Sequence, residues 1–254
     1  FTHYMWVTGT SETARQYAET FCDRTVKAAN LKTGEAVVEI ASNDGTFIKP
    51  FVKRGYKAIG VDPARNIADQ ARTEGIEVMA TFWDIAVARE VKTKYGPVKV
   101  VIARNVIPHV SDLHSVITGI AECLAADGTG IIEFHYAGVI LQELHYDSIY
   151  HEHLCFFSVA SIEYLLNLHG LKPFHIDTSP ISGGSYVIYF SKQQKIQTPE
   201  YKNFQEMENR AKVNELSTWS EFAGKALRHR DDSVRMLSAY KGKNVIGFGS
   251  SARS

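Results

Sequence analysis

Short apolar runs alternate with segments of helical periodicity from residue 36 onward, and this alternation restricts the fold more than any other feature. The runs are residues 36–40, 58–61, 77–80, 98–103 and 130–134. Each is followed by a stretch whose apolar residues recur about every 3.6 positions, as βα units require. Because crossover helices cover both faces of a parallel sheet, the sequence predicts an α/β fold with a doubly wound, mostly parallel sheet. Ligands of such sheets lie beyond the carboxyl ends of the strands.

The segments on either side of this unit have other patterns. Ser11 is placed to cap a first helix that ends near Asn30. Later in the chain, two strand-like runs at 172–177 and 186–190 flank a turn-rich link at 179–185. Such a link predicts an antiparallel pair at the edge of the sheet.

The last part of the chain is helical in pattern over residues 200–240, which favours a packing or linker helix. The residues spaced for one buried face are Leu216, Trp219, Ala223 and Leu227. Residues 244–254 then form an apolar run that enters a glycine turn, as at the start of a nucleotide-binding unit. The predicted divisions are an N-terminal segment with the first helix (1–30), the central domain (31–195) and a helical linker that starts a truncated domain (196–254).

Composition excludes several classes of protein. The chain has 254 residues, with 28 basic and 28 acidic side chains. This balance removes the global electrostatic attraction to nucleic acid or to anionic membranes, and no apolar run approaches the roughly 18 residues of a membrane span. The three cysteines have no C-x-x-C spacing, so neither a disulfide framework nor a thiolate zinc site is indicated. We expect a cytoplasmic protein without nucleic-acid or membrane partners.

The turn after the first predicted strand indicates the class of ligand. The strand ends in Glu39, and of the turn residues 41–46 only Gly45 is a glycine. A dinucleotide-binding loop needs more glycines than this. Asp62 follows the second strand, 23 residues after Glu39, near the offset at which a carboxylate binds ribose hydroxyls. The pattern favours a ligand with a ribose and no phosphate; a turn acid that caps the next helix is the alternative.

The histidine-rich segment after the fifth βα unit concentrates ionisable side chains beyond the strand ends. His151 and His153 with Glu152 could chelate a metal, with His109 or His145 completing the shell. A solvated polar loop and a general-base site are the other interpretations. We prefer the general base and predict no metal.

Four segments, in order along the chain, resemble the S-adenosylmethionine-dependent sugar C-methyltransferases, which act on nucleotide-linked 4-keto-deoxysugars. The segments are Val38-Glu39-Ile40-Ala41-Ser42-Asn43-Asp44-Gly45-Thr46, Gly60-Val61-Asp62-Pro63-Ala64, Asn105-Val106-Ile107-Pro108-His109-Val110 and Ile149-Tyr150-His151-Glu152-His153. The resemblance covers roughly residues 4–250, and Ala41 stands where the family usually has glycine. It implies the class I methyltransferase fold with a helical C-terminal extension. It also implies a fragment without the family's zinc-binding domain and most of its C-terminal Rossmann-like domain.

The resemblance further implies S-adenosylmethionine as the cofactor, and a set of residues around it. Those expected to bind it are Glu39, Ala41, Ser42, Asn43, Asp44 and Gly45 for the methionine part, Asp62 and Pro63 for the ribose, Phe82 and Trp83 for adenine, and Asn105. For Phe82 and Trp83, packing in the core is an equal alternative.

The substrate side follows from the chemistry of methylating a carbon beside a ketone. The α proton must be removed and an enolate stabilised, and histidine suits a base that works near neutrality. His153 is the first choice for the base, with Glu152 to orient it and Tyr150 to donate a hydrogen bond to the oxyanion. His109 is the rival base. Tyr4 reaches the sugar site by resemblance, and simple packing is its alternative role.

The preferred function is thus methyl transfer to C3 of a nucleotide-linked 4-keto-6-deoxysugar. A cofactor-binding module without activity of its own is a second hypothesis, and an O-methyltransferase of a small molecule is a variant of the first. A metal-dependent isomerase or hydrolase is a third, which depends only on the histidine cluster.

Overall fold

The computed structural model describes residues 2–246 and contains a seven-stranded sheet with helices on both faces. The strands are β1 (Ala36–Ile40), β2 (Lys57–Val61), β3 (Glu77–Met79), β4 (Val98–Arg104), β5 (Leu124–His135), β6 (Lys172–Thr178) and β7 (Ser185–Ser191). The helices are α1 (Glu12–Ala29), α2 (Lys49–Lys53), α3 (Arg65–Thr73), α4 (Ile85–Tyr95), α5 (Leu113–Cys123), α6 (Ala137–Glu143), α7 (Val159–Leu168), α8 (Pro199–Arg210) and α9 (Leu216–Ser238). Short 3₁₀ turns are Thr8–Thr10, Ile107–His109 and Tyr146–Ser148.

The strand order is β3-β2-β1-β4-β5-β7-β6. The first five strands pair in parallel, whereas β7 is antiparallel to both β5 and β6. The α/β fold, the doubly wound sheet and the antiparallel pair at its edge are therefore confirmed. The carboxyl ends of β1, β2 and β4 meet at one edge, where the sequence places the ligand.

Alternation along the strands divides the core into two clusters, one on each face of the sheet. Val38 and Ile40 of β1 belong to one cluster, and Val37 belongs to the other. Every residue of β1 is buried. Burial on both faces is why this strand is an unbroken apolar run apart from Glu39, since successive side chains of a strand point to opposite faces.

The first helix is confirmed at both ends. The Ser11 side chain accepts a hydrogen bond from the Ala14 N–H, and Asn30 ends α1 in the left-handed conformation with φ 48°. A side-chain oxygen at the N-cap satisfies one of the free N–H groups of the first turn, and asparagine tolerates the left-handed C-terminal position.

The predicted C-terminal helical segment is two helices with a break between α8 and α9, and its predicted buried face is wrong. Leu216 is 83% exposed and Leu227 is 53% exposed, whereas Phe222 is the buried residue of α9. Trp219 donates from Nε1 to the Val213 carbonyl and packs edge-on against Phe222. A helical pattern indicates a buried face only if another element packs against that face. Among the described residues, α9 contacts α6 and is packed near its start through Trp219.

The strand and glycine turn expected over 244–254 do not appear in residues 244–246, which have no regular structure. The remaining residues of that segment lie outside the described residues. Within the part of the chain that the structure covers, no helix has the length and hydropathy to cross a membrane.

Candidate active site

The turn after β1 forms one wall of a cavity at the carboxyl edge of the sheet. Ala41, Asn43 and Gly45 have left-handed backbones, with φ of 55°, 51° and 79°. Glycine at position 60 lets β2 approach this turn, because a Cβ there would lie 2.4 Å from the Ser42 hydroxyl. The alternating left-handed residues curl the turn around the strand ends, so a ligand can approach its backbone closely.

Asp62 joins this turn to the second strand. Its Oδ2 accepts a hydrogen bond from the Asn43 N–H at 2.8 Å, and its Oδ1 accepts one from the Ala64 N–H at 2.8 Å. Burial raises the pKa of Asp62, and these two N–H groups oppose the rise. Asp62 therefore lines the cavity and joins the turn after β1 to Ala64, the residue before α3.

Glu39 is a buried acid at the end of β1 and also lines the cavity. Its Oε2 has no hydrogen-bond partner among residues 2–246. Burial raises its pKa to about 8, with Asp44 and Asp62 adding to the rise and Arg104 opposing it. A buried acceptor without a donor is costly, so the site is suited to a ligand that brings a cationic donor.

A buried ion pair that the sequence analysis missed lies at the cavity, which its arginine lines. Arg104, the last residue of β4, donates from Nε to Glu133 Oε2 at 2.8 Å. The Arg104 guanidinium carbon lies 3.2 Å from the Phe47 ring centroid. Glu133 Oε1 accepts from Asn105 Nδ2 at 3.1 Å and from the Ser179 hydroxyl at 3.0 Å. The sequence does contain an indication of this pair, because each of two apolar strands carries a charged residue and a buried charge requires a partner.

The two aromatic residues that follow β3 differ in burial. Phe82 is 56% exposed at the cavity, whereas Trp83 is buried and donates from Nε1 to the Val116 carbonyl at 3.2 Å. The Asp84 carboxylate accepts from the Val87 N–H and caps α4. Trp83 thus packs in the core and lines the cavity at once.

The opposite wall carries groups suited to proton transfer. His109 lies in the turn after β4, and its pKa is lowered by burial and then by the neighbouring His153. The rings of His109 and His153 are 4.8 Å apart. The Tyr150 hydroxyl donates to Glu152 Oε2 at 3.3 Å. His153 Nδ1 is 2.8 Å from the Ser148 carbonyl oxygen.

The two walls enclose a cavity of about 1010 Å³. The predicted site residues that line it are Tyr4, Glu39, Ala41, Ser42, Asn43, Asp62, Pro63, Phe82, Trp83, Asn105, His109, Tyr150 and Glu152. Asp44, Gly45 and His153 are not among the described residues that line it. Asp44 instead accepts from the Gly9 N–H, and Gly45 packs on Ile76. The His153 ring contacts the rings of His109 and Tyr150, which do line the cavity.

The histidine cluster does not assemble metal ligands. Across residues 2–246, no three His, Cys, Asp or Glu side chains are arranged to hold a metal ion. His151 is exposed, and His145 pairs with Glu143 at 3.2 Å. The geometry gives no support to the metal-dependent hypothesis.

Comparison with known families agrees with this geometry. The family described as "Methyltransferase domain" matches residues 13–176, which is more than half of the chain. The chain belongs to the methyltransferase domain family. A second family, "C-methyltransferase C-terminal domain", matches residues 180–254 of this methyltransferase.

One curated relative is the C-methyltransferase NovU of Streptomyces niveus, which is 33% identical over 189 residues. The match covers 74% of this methyltransferase chain and 45% of NovU, so the chain spans less than half the length of that relative.

Two solved structures share the fold. The PH0226 protein of Pyrococcus horikoshii OT3 superposes with a TM-score of 0.59 at 18% identity, over 74% of this chain and 95% of its own. Magnesium protoporphyrin IX methyltransferase of Synechocystis PCC 6803, solved with bound S-adenosylmethionine, superposes with a TM-score of 0.53 at 15% identity, over 70% of this chain and 79% of its own.

Proposed function

We propose that this domain transfers a methyl group from S-adenosylmethionine to C3 of a nucleotide-linked 4-keto-6-deoxysugar. The observation that carries the proposal is that one cavity brings acids suited to a cationic cofactor, Glu39 and Asp62, opposite His109 and Tyr150. The match to a C-methyltransferase C-terminal family and the similarity to NovU favour carbon as the methyl acceptor. The sugar and the C3 position come from the motif resemblance.

The residues of the β1 wall fit the cofactor. Glu39 Oε2, buried and without a donor, can accept from the cofactor's ammonium group. The turn from Ala41 to Gly45 leaves room for the methionine part, and Asp62 lies where the ribose hydroxyls would bind. When bound, the cofactor supplies an electrophilic methyl group on a sulfonium.

In the proposed reaction His153 is the base. A carbonyl oxygen can only accept a hydrogen bond, so Nδ1 of His153 donates to Ser148 and Nε2 keeps the lone pair. His153 takes the proton as the C3–H bond of the sugar breaks, and the electron pair delocalises into the ketone oxygen. With the sugar bound, the Tyr150 hydroxyl would donate to that oxygen in place of Glu152. The C3 carbon would then bond to the methyl group as the carbon–sulfur bond of the cofactor breaks.

His109 is the competing assignment for the base. It lines the cavity, and its lowered pKa keeps the ring neutral at pH 7, so it can also accept a proton. In the arrangement with His153 as base, His109 contacts the His153 ring and faces the sugar.

The test separates proton removal from methyl transfer. The ketosugar is incubated in deuterium oxide with each variant, and C3 exchange is followed by NMR before and after adding S-adenosylmethionine. We expect His153→Gln to lose exchange, and His151→Gln, the exposed neighbour, to exchange as the wild type does. If His109→Gln alone loses exchange, His109 is the base. A methyl group found on oxygen would contradict the proposal.

A second function is supported by the short span relative to NovU. The chain then binds the cofactor but has no turnover of its own. This alternative predicts calorimetric binding of S-adenosylmethionine, no deuterium exchange at C3 and no methylated product.

A further inference from the structure

The N-terminal residues 2–8, which we term the strap, form part of the cavity wall and are held there by two asparagine side chains. Asn66, on α3, accepts at Oδ1 from the Tyr4 N–H at 3.2 Å and donates from Nδ2 to the Tyr4 carbonyl at 2.8 Å. Asn43 donates from Nδ2 to the Trp6 carbonyl at 3.0 Å and accepts at Oδ1 from the Thr8 N–H at 2.9 Å. Each amide thus satisfies both a donor and an acceptor of the strap backbone, as a neighbouring strand would.

The strap carries side chains into the cavity. Tyr4, Trp6 and Thr8 all line it, and Trp6 remains 62% exposed. Burial raises the pKa of Tyr4, and the charges of Glu152 and Asp62 raise it further. The Tyr4 phenol therefore lies near acids of both walls and stays protonated as a hydrogen-bond donor.

Asn43 links the strap directly to the cofactor turn. Its backbone N–H donates to Asp62, the proposed ribose acid, while its side chain holds the strap. The Gly9 N–H also donates to the Asp44 carboxylate at 2.9 Å. A ligand that orders the turn at Asn43 will therefore also order the strap, because one residue is shared between them.

We propose that Asn66 and Asn43 are positioning residues that hold the strap against the bound cofactor and place Tyr4 between the cofactor and the sugar. This inference rests on the proposed function for the identity of the two ligands. Asn66 is not among the described residues that line the cavity, and it acts through the Tyr4 backbone.

The first experiment requires only cofactor binding. Hydrogen exchange of residues 2–8 and the fluorescence of Trp6 are measured with and without S-adenosylhomocysteine. In the wild type we expect slower exchange at Tyr4 and Thr8 and a shift in emission. Trp6→Phe should remove the part of the shift that comes from the strap and leave the part that comes from Trp83, which also lines the cavity. Asn66→Ala loses the protection at Tyr4. Gln70→Ala, which removes an exposed amide from the same helix, keeps it.

The second experiment measures turnover. A small displacement of Tyr4 lowers the reaction rate more than it weakens cofactor binding. We therefore expect Asn66→Ala to lower kcat about tenfold. The Kd for the cofactor should change less than about threefold, since Glu39 and Asp62 are untouched. In the Tyr4→Phe background, Asn66→Ala should add little further loss, because both changes remove one interaction.

The outcomes separate the inference from the proposed function. Protection of the strap that is equal in Asn66→Ala and wild type overturns the inference, whatever the activity. An additive loss in the double variant also overturns it. If the wild type methylates no ketosugar, the proposed function fails. If the strap is then still protected in the wild type and not in Asn66→Ala, the positioning role holds for cofactor binding.

Discussion

The Glu39 carboxyl is buried beside other acids, and this makes the stability of the fold depend on pH. Burial raises its pKa from the ordinary 4.5 to about 8. Between these values the folded chain holds the proton that the unfolded chain has released. The free energy of unfolding therefore falls as pH rises from about 4.5 to 8, and the stabilising effect of the proton is complete only below that window.

Glu39→Gln removes this dependence. We expect the variant to match the wild type at pH 4.5 and to exceed it by about 4 kcal/mol at pH 8, as measured by urea unfolding without cofactor. Glu90→Gln, at an exposed position on α4, is the control and should follow the wild type. A constant difference between Glu39→Gln and wild type across this range would contradict the assigned burial.

Ala41 has a left-handed backbone, with φ 55°, at the position where the resembling family has glycine. A left-handed conformation costs an L residue about 1–2 kcal/mol, while glycine loses about 0.5–1 kcal/mol through its freer unfolded chain. Ala41→Gly should therefore stabilise the fold by up to about 1 kcal/mol. Ala103→Gly, in buried β4, should destabilise it. Equal losses in thermal unfolding of both variants would show that Ala41 is not strained.

For single residues, the sequence predicts which side chains belong to the site better than it predicts their contacts. Glu39 and Asp62 are recognisable because each ends an apolar strand. Asn66 and Arg104 are not, because their roles depend on groups far away in sequence, the Tyr4 backbone and the Glu133 carboxylate. His153 is recognisable as a basic group, but its contact with the His109 ring depends on how the loop packs.

Among the elements, α8 is joined to the methyltransferase fold by a buried carboxylate. Glu208 accepts from the Val159 N–H at 2.6 Å, the Ala160 N–H at 2.9 Å and Asn214 Nδ2 at 3.0 Å. The first two donors are free N–H groups at the start of α7, which the partial positive charge there makes strong partners for an anion. One side chain of α8 thus completes the N-terminus of α7.

Removal of this carboxylate should destabilise both helices. We expect Glu208→Ala to lower the free energy of unfolding by about 3 kcal/mol, because it leaves buried donors without an acceptor. Glu206→Ala, exposed on the same helix, should change it by less than about 0.5 kcal/mol. Urea unfolding of the two variants checks this, and equal midpoints would mean that water replaces the carboxylate.

The helices also show why a periodic sequence pattern does not always predict which face of a helix is buried. The strands could be predicted because a strand that is buried on both faces requires an unbroken apolar run, and few other structural elements have one. The buried face of α9 was predicted wrongly because Leu216 and Leu227 fit the helical spacing but have no surface opposite them. The link from Glu208 to α7 has no local pattern at all, since it spans 49 residues.

For the whole molecule, the cavity joins parts that are distant in sequence: the strap, the ends of β1, β2 and β4, and the loop around Tyr150. A ligand that binds this cavity contacts groups that are brought together only in the folded chain. Binding must therefore stabilise the entire fold, by an amount that depends on ligand concentration relative to Kd.

We expect S-adenosylmethionine at about 100 times its Kd to stabilise the chain by about 2.7 kcal/mol, or to raise Tm by about 5–10 °C for a chain of this size. The same rise should occur with a metal chelator present, because the described part of the chain groups no three metal-ligating side chains. Asp62→Ala should reduce the shift at equal ligand concentration, whereas Asp69→Ala, exposed on α3, should not. A folded wild type without any shift would contradict the assignment of the cavity to this cofactor. A shift abolished only by the chelator would instead assign the stabilisation to a metal.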